Sequence, residues 1–239
     1  MSTVRHILIT GASKGIGRVA ADRLASAGWS VIGVARQAPP TFPGLFLEVD
    51  LADSGATLAL AKSLAQRADV VGIVNNIGLA KHENFGAVEL DVFNSVMDLN
   101  LRPALQLTQA LLPGMRAAGF GRIVNITSLV TRGLPYRASY AAAKSALQSL
   151  TRTMAIELAT QGITANAVAP GPTETELFRA NNPPGSEGEA RYLAQIPMQR
   201  FATPGQIAAA IAFFASDDAS FITGQTLFVD GGASLGRML

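Results

Sequence analysis

The chain has 239 residues, of which 49% are hydrophobic and 15% charged, a composition that suits one large domain or two small ones. Its 19 Lys and Arg residues exceed the 17 Asp and Glu residues by only two and are scattered, which argues against nucleic acid as a partner. With no cysteine and only two histidines, His6 and His82, the chain has no means of forming disulfides and offers little for a metal site, so no metal is expected.

Short β-branched runs alternate along the chain with longer runs of helical periodicity. The strands are predicted at 6–10, 30–35, 45–49, 70–75, 122–127, 164–169 and 226–230. The helices are predicted at 15–28, 53–67, 89–118, 139–160 and 204–215. This alternation predicts an α/β fold, a doubly wound parallel sheet of about seven strands with helices on both faces. The unbroken apolar strands further suggest burial on both faces, and we expect a single domain over 1–239.

Local signals set several helix boundaries. Thr203 followed by Pro204 is typical of a helix start, and Gly28 and Gly162 stand where helices should stop. Pro103 cannot donate to the carbonyl of Leu99, so a kink is expected beside Asn100. No apolar run is long enough for a signal-peptide core or a membrane span, and we expect a cytoplasmic protein with no membrane partner.

The stretch "TGASKGIG" follows the first predicted strand and leads into the first predicted helix. Glycines at a helix amino terminus expose backbone N–H groups, which together with the helix dipole make a phosphate site. The spacing G-x-x-x-G-x-G departs from the usual G-x-G-x-x-G of dinucleotide folds. The residues of this loop that we expect to bind a dinucleotide are Gly11, Ser13, Lys14, Gly15, Ile16 and Gly17.

The same residues also contain G-x-S-x-G, the nucleophile elbow of α/β-hydrolases, centred on Ser13. A hydrolase needs a histidine after its serine and acid, and His82 is the only histidine downstream. The elbow also belongs deeper in the sheet than the first strand, which makes a hydrolase the weaker interpretation.

The end of the second predicted strand indicates which dinucleotide binds. An NAD site typically ends this strand with an acid, whereas the 2′-phosphate of NADP favours a cation. Here the strand ends with Ala35 and then Arg36, and Lys14 adds a second positive charge nearby. We therefore predict NADP(H) in preference to NAD(H).

Six motifs in order resemble those of the short-chain dehydrogenase/reductase family, and among its members the bacterial 3-oxoacyl-(acyl-carrier-protein) and acetoacetyl-CoA reductases. They are "TGASKGIG" (10–17), "NNIG" (75–78), Asn100-Leu101, Ser128, "YAAAK" (140–144) and "PGPTET" (170–175), and "FITGQTLFVDGG" (221–232) extends the match. The resemblance covers nearly the whole chain. It implies a Rossmann-like fold and reduction of a ketone to a secondary alcohol.

The family's four catalytic positions are occupied by Asn100, Ser128, Tyr140 and Lys144. A ketone that accepts a hydride needs a proton at its oxygen, and Tyr140 is the expected donor. An ammonium one helical turn away, Lys144, favours the phenolate and is expected to lower the pKa of Tyr140. Ser128 is expected to hold the carbonyl oxygen, while the resemblance implies that Asn100 steadies a relay water and that Lys144 holds the nicotinamide ribose.

The resemblance also assigns the rest of the cofactor site. Asp50 and Leu51 are expected at the adenine and Asn76 and Gly78 along the adenosine side. The residues expected near the nicotinamide and phosphates are Pro170, Gly171, Thr173 and Thr175, in addition to Tyr140 and Lys144. Two departures from the family pattern are Ile77, which replaces a usual alanine, and a Ser128-to-Tyr140 separation one residue shorter than in many relatives.

The substrate is expected to lie under a lid at about 176–200, whose "NNPPGSEG" (181–188) is typical of a flexible segment. The residues expected to line its pocket are Leu79, Leu129, Leu134, Tyr136, Leu177, Phe178 and Tyr192. A 3-oxoacyl thioester is the first candidate, and a cyclic ketone, sugar or polyol is the alternative. A dinucleotide-binding protein without turnover is a remote alternative. The family is usually tetrameric or dimeric, so a homotetramer or homodimer is expected.

Overall fold

The computed structural model describes residues 4–236 and contains one sheet of seven parallel strands. The strands are His6–Thr10 (β1), Ser30–Ala35 (β2), Gly44–Glu48 (β3), Val70–Asn75 (β4), Gly121–Ile126 (β5), Ile163–Pro170 (β6) and Thr226–Val229 (β7). Their order across the sheet is β3-β2-β1-β4-β5-β6-β7, and each pairs with its neighbour in parallel. The predicted doubly wound α/β fold is confirmed.

Helices cover both faces of this sheet. Within the described residues they are Gly15–Ser26 (α1), Ser54–Leu64 (α2), Leu90–Ala118 (α3), Ala138–Leu158 (α4), Glu176–Asn181 (α5), Glu187–Leu193 (α6) and Pro204–Ala215 (α7). Leu8 packs with α2, α3 and α4 on one face, whereas its neighbours Ile7 and Ile9 pack with α1 and α7 on the other. This alternation along one strand divides the apolar interior into two layers.

The edge strands correct one expectation. The sequence predicted burial for all seven strands, but β3 and β7 are only partly buried, with Leu45 48% and Leu227 42% exposed. Each edge strand lacks a neighbour on one side, and an apolar run does not distinguish an edge strand from a central one. The inner strands β4, β5 and β6 are buried throughout.

Most helix boundaries agree with the sequence signals. Gln206 accepts a hydrogen bond from the Thr203 backbone at the start of α7, and Gly28 and Gly162 adopt positive φ angles just beyond helical segments. The helix α3 continues as α-helix through both Pro103 and Pro113. The segment 181–188 joins α5 to α6, and the Ser186 side chain caps α6.

The order in which successive strands are added to the sheet reverses between the neighbouring strands β1 and β4. The chain continues from β1 outward through β2 and β3, and from β4 outward in the other direction through β5, β6 and β7, which opens a crevice at the carboxyl ends of β1 and β4. The loops that follow β1, β4, β5 and β6 all meet at this edge, so the candidate motifs of the sequence are brought together there. None of the helices within residues 4–236 has the length and hydropathy needed to cross a membrane.

Candidate active site

The glycine loop turns sharply between β1 and α1. Gly11 and Gly15 have φ angles of 67° and 57°, which L side chains rarely adopt. A Cβ on Gly17 would lie 2.3 Å from the carbonyl oxygen of Gly11, so no larger residue fits there without moving the backbone. The glycines therefore allow the loop to fold tightly over the amino terminus of α1, the arrangement that binds phosphate.

The loop after β4 holds the glycine loop in place. The Asn76 side chain donates to the carbonyl oxygens of Thr10 (2.9 Å) and Gly11 (3.2 Å). In return the Thr10 hydroxyl accepts from the backbone N–H groups of Asn76 (2.9 Å) and Ile77 (3.0 Å). Asn76, expected to line the adenosine, thus also has a structural role, because its amide fixes the backbone of the glycine loop.

Arg36 and Lys14 are both exposed at the carboxyl edge of the sheet. Arg36 directly follows β2, and Lys14 is the residue before α1. Of the other loop residues, Ser13 and Ile16 are half-buried. Asp50 accepts from the Ala52 backbone at 3.0 Å after β3, while neighbouring Leu51 is buried in the core. Asp53 caps α2 by accepting from the backbone N–H groups of Gly55 and Ala56.

Tyr140 and Lys144 lie one turn apart on α4. The Lys144 Nζ atom is 5.6 Å from the centre of the Tyr140 ring and donates to the carbonyl oxygen of Ile126 at 2.9 Å. Ser128 follows β5 and accepts from the Val130 backbone at 3.3 Å, and its hydroxyl acts to lower the pKa of Tyr140. Two secondary-structure elements, β5 and α4, therefore bring three of the four expected catalytic residues together.

Asn100 completes this group from α3. Its Nδ2 donates to the carbonyl oxygens of Leu79 (2.9 Å) and Val96 (2.8 Å), whereas its buried Oδ1 has no partner among the described residues. A Cβ placed on Gly78 would lie 3.0 Å from that Oδ1 and 3.2 Å from the Lys144 Nζ. An unpartnered acceptor and an ammonium thus face the same small space beside Gly78, which suits a bridging water.

Burial shifts the pKa values of Tyr140 and Lys144 on α4. It lowers the pKa of Lys144 to about 8. It raises the pKa of Tyr140, although the Ser128 hydrogen bond and the positive charge of Arg137 act in the opposite direction. The expectation that Lys144 would lower the pKa of Tyr140 is therefore wrong for this structure, because the dominant influence is desolvation of the phenolate.

The loop after β6 forms the other wall of the crevice. Pro170 ends β6, and a Cβ on Gly171 would lie 2.6 Å from the Cβ of Asp230, so the two loops touch closely. The buried Thr173 hydroxyl donates to the Gly171 carbonyl at 2.9 Å. Thr175 caps α5, and its Cγ2 would be 3.4 Å from a Cβ on Gly15, so this loop reaches the glycine loop.

The segment 176–200, which the sequence predicted to be a lid, contains the two short helices α5 and α6. The Phe178 ring contacts the rings of Tyr192 (5.4 Å between ring centres) and Phe201 (4.9 Å). Arg179 forms ion pairs with Glu174, next to Thr175, and with Glu189 on α6. This segment is therefore tied to the loop of Thr173 and Thr175 by one guanidinium.

The other residues expected in the substrate pocket lie on the loops that follow β4 and β5. Leu79, Leu129 and Leu134 are half-buried on the loops after β4 and β5. Tyr136 is 51% exposed, has a φ angle of 61°, and stacks on His82 at 4.8 Å between ring centres. The side chain of Leu177 lies outside the described part of the chain.

Two residues near Tyr140 escaped the sequence analysis, Glu83 and Arg137. The buried Glu83 carboxylate accepts from both the backbone N–H and the hydroxyl of Ser139, the residue before Tyr140. Arg137 lies three residues before Tyr140 and donates to the Lys81 carbonyl at 3.0 Å. Their partners are 56 residues away in the sequence, so no local pattern indicated either role.

Comparison with known proteins gives concordant matches over most of the chain. A family model described as Enoyl-(Acyl carrier protein) reductase matches residues 11–234. The 3-oxoacyl-(acyl-carrier-protein) reductase of Escherichia coli (strain K12) is 39% identical over 236 residues, which cover 94% of this chain and 95% of that protein.

Solved structures of similar proteins also match nearly the whole chain. A putative NAD(P) dependent gluconate 5-dehydrogenase from Beutenbergia cavernae, with bound NADP, is 36% identical, with 96% of each chain covered and a TM-score of 0.89. A structure described as a short chain dehydrogenase/reductase family protein is 35% identical, with 98% of this chain and all of that chain covered and a TM-score of 0.87.

Proposed function

The chain belongs to the short-chain dehydrogenase/reductase family of oxidoreductases, and on that premise we propose that it reduces a ketone to a secondary alcohol with NADPH. One observation carries the proposal. Tyr140, Ser128, Lys144 and Asn100 converge from α4, β5 and α3 at the carboxyl edge of the sheet, next to the glycine loop. A protein that only bound the dinucleotide would not need this group of polar side chains.

The residues at the crevice fit NADP(H). The glycine loop fits a pyrophosphate, because the absence of a Cβ at Gly17 lets the loop fold tightly onto the amino terminus of α1, where backbone N–H groups bind phosphate. Arg36 and Lys14 supply positive charge where a 2′-phosphate would lie. When bound, the reduced nicotinamide supplies a hydride to the carbonyl carbon of the substrate.

The protein residues then manage the proton. Ser128 donates to the ketone oxygen and keeps it beside the Tyr140 hydroxyl, which gives that oxygen its proton as the alcohol forms. A raised pKa keeps Tyr140 protonated and ready to donate at neutral pH. Lys144 and the unpartnered Oδ1 of Asn100 face the space through which a water returns a proton to Tyr140.

A 3-oxoacyl compound is the first candidate substrate, since the Escherichia coli relative is a 3-oxoacyl-(acyl-carrier-protein) reductase. A sugar or polyol derivative is the second candidate, which the putative gluconate 5-dehydrogenase among the structural matches favours. The apolar cluster of Phe178, Tyr192 and Phe201, formed by the segment 176–200 and the residue after it, supports an acyl or cyclic group over a free sugar.

The test is a panel of ketones offered to the purified protein with NADPH or NADH. The panel contains acetoacetyl-CoA, acetoacetate, a cyclic diketone and keto sugars, and cofactor oxidation is followed at 340 nm. We expect oxidation with at least one ketone and a higher kcat/KM with NADPH. No oxidation with any ketone would contradict the enzyme proposal, whereas a tenfold preference for NADH would contradict the roles of Arg36 and Lys14.

A further inference from the structure

Arg137 stands at the start of the helix that carries the reacting phenol. It precedes the first turn of α4, three residues before Tyr140, and its side chain is half-buried. Its positive charge is one of the two influences that oppose the raised pKa of Tyr140. The helix that carries Tyr140 and Lys144 therefore begins beside a second cation.

The surroundings hold this guanidinium in a fixed place. Its Nη1 donates to the Lys81 carbonyl at 3.0 Å, and the Glu83 backbone donates to the Tyr136 carbonyl at 3.1 Å. Glu83 also binds Ser139, and the rings of His82 and Tyr136 stack with 13° between their planes. Residues 136–139 are therefore fixed against residues 81–83, and Arg137 has little freedom to lose when a ligand binds.

Arg137 is not paired with an acid in the described part of the chain. Within residues 4–236 its guanidinium forms no ion pair; the acid of the adjoining loop, Glu83, binds Ser139 through Oε2, and its buried Oε1 has no partner among these residues. Lys81 and Arg132 add positive charge to the same two loops. Most of the five N–H donors of Arg137 remain available, in the planar arrangement that matches a carboxylate.

We propose that Arg137 binds a carboxylate of the substrate and that the ketone reduced at this site is a keto acid. The inference rests on the proposed function and narrows its substrate class to keto acids, so that among 3-oxoacyl compounds it selects the free acid over the thioester. A 3-oxo acid and a keto sugar acid carry the same group, so the shared chemistry is a carboxylate on the same molecule as the ketone. A neutral ester or a thioester of the same acid lacks the group that Arg137 would bind.

The experiment compares each acid with a neutral counterpart in NADPH-dependent reduction. Acetoacetate is paired with methyl acetoacetate, and 5-ketogluconate with fructose, in the wild type and in Arg137→Gln, Arg137→Lys and Arg152→Gln. Arg152 is an exposed arginine on the same helix and serves as the control for loss of one charge.

In the pair that the enzyme reduces faster, we expect kcat/KM of the wild type to be about tenfold or more higher for the acid than for the neutral ketone. A difference of this size corresponds to the free energy of a hydrogen bond between charged groups. Arg137→Gln should raise KM for the acid by about 10- to 100-fold and KM for the neutral ketone by no more than about twofold, while Arg137→Lys recovers part of the preference. Any change in kcat caused by the lost charge near Tyr140 should be the same for both ketones. Arg152→Gln should match the wild type. The pair in which the acid is preferred shows whether the carboxylate belongs to a 3-oxo acid or to a keto sugar acid.

Two results would overturn the inference. Equal losses for acid and neutral ketone in Arg137→Gln would mean that the arginine only supports the loop through Lys81. Tyr140-dependent reduction without any preference for an acid would refute the keto-acid assignment and leave the proposed function intact. Absence of turnover with every ketone would overturn both.

Discussion

Replacing Lys144 by Met should stabilise the protein at neutral pH while abolishing its activity. Lys144 is only 1% exposed, and its burial brings its pKa to about 8 from the usual 10.5. The difference of about 2.5 pH units corresponds to a cost of about 3 kcal/mol for keeping the buried ammonium charged. Loss of the hydrogen bond from Lys144 to the Ile126 carbonyl would cost the variant about 1 kcal/mol, so its net stabilisation should be about 2 kcal/mol.

The cost depends on pH in a direction that can be tested. Below pH 8 the folded and unfolded chains both carry the proton, so the full penalty is present. Between pH 8 and 10.5 the folded chain has released the proton and the unfolded chain still binds it, so the wild type gains stability relative to the variant as pH rises. A methionine has no such dependence.

Urea unfolding of the protein without added cofactor measures this difference. At pH 7 the Lys144→Met variant should be more stable by about 2 kcal/mol, or about 4–8 °C in Tm, and at pH 10 the gap should shrink to about zero. The exposed Lys62 on α2 is the control, since Lys62→Met should change stability by about 0.5 kcal/mol or less at either pH. If Lys144→Met were less stable than the wild type at pH 7, or if their difference in stability did not change with pH, burial of the Lys144 ammonium would not destabilise the fold.

Three further substitutions probe the crevice. Gly17→Ala should weaken NADPH binding in calorimetry by at least about tenfold, because its Cβ would meet the Gly11 carbonyl, whereas Gly205→Ala, with 3.7 Å to its nearest neighbour, should bind normally. Arg36→Ala should raise KM for NADPH about tenfold and leave KM for NADH within about twofold; equal changes in both would contradict a contact with the 2′-phosphate. Glu83→Ala leaves two buried donors of Ser139 without a partner, so it should lower both kcat and the free energy of unfolding, the latter by about 2 kcal/mol. Glu83→Gln, which retains an acceptor oxygen, should recover part of each, and an Ala variant as stable as the wild type would show that the Ser139 contacts do not matter.

The sequence was sufficient for the order of the seven strands and the five longer helices and for the glycine loop, whereas the short helices α5 and α6 were not predicted. Each strand and helix carries its own periodicity, and the glycines before α1 mark a tight turn in any context. The parallel sheet then brings the carboxyl ends of β1, β4, β5 and β6 to one edge, so motifs far apart in the chain meet there. For that reason the positions of Ser128, Tyr140 and Lys144 could be expected before any coordinates.

Properties that depend on distant neighbours could not be read from local patterns. The upward pKa of Tyr140 arises from burial, which a Tyr and a Lys at helical spacing do not reveal. The partial exposure of β3 depends on its place at the edge of the sheet, because its apolar residues resemble those of a central strand. Glu83 and Arg137 acquire their roles only when the loops after β4 and β5 meet.

We propose that Tyr140 delivers the proton during ketone reduction. Its most direct test is a single-turnover measurement in which the protein with bound NADPH is mixed with a ketone that the panel has identified as a substrate. Tyr140→Phe should slow NADPH oxidation by at least about 100-fold and leave the Kd for NADPH within about twofold. A Tyr140→Phe variant that oxidises NADPH at the wild-type rate would contradict it.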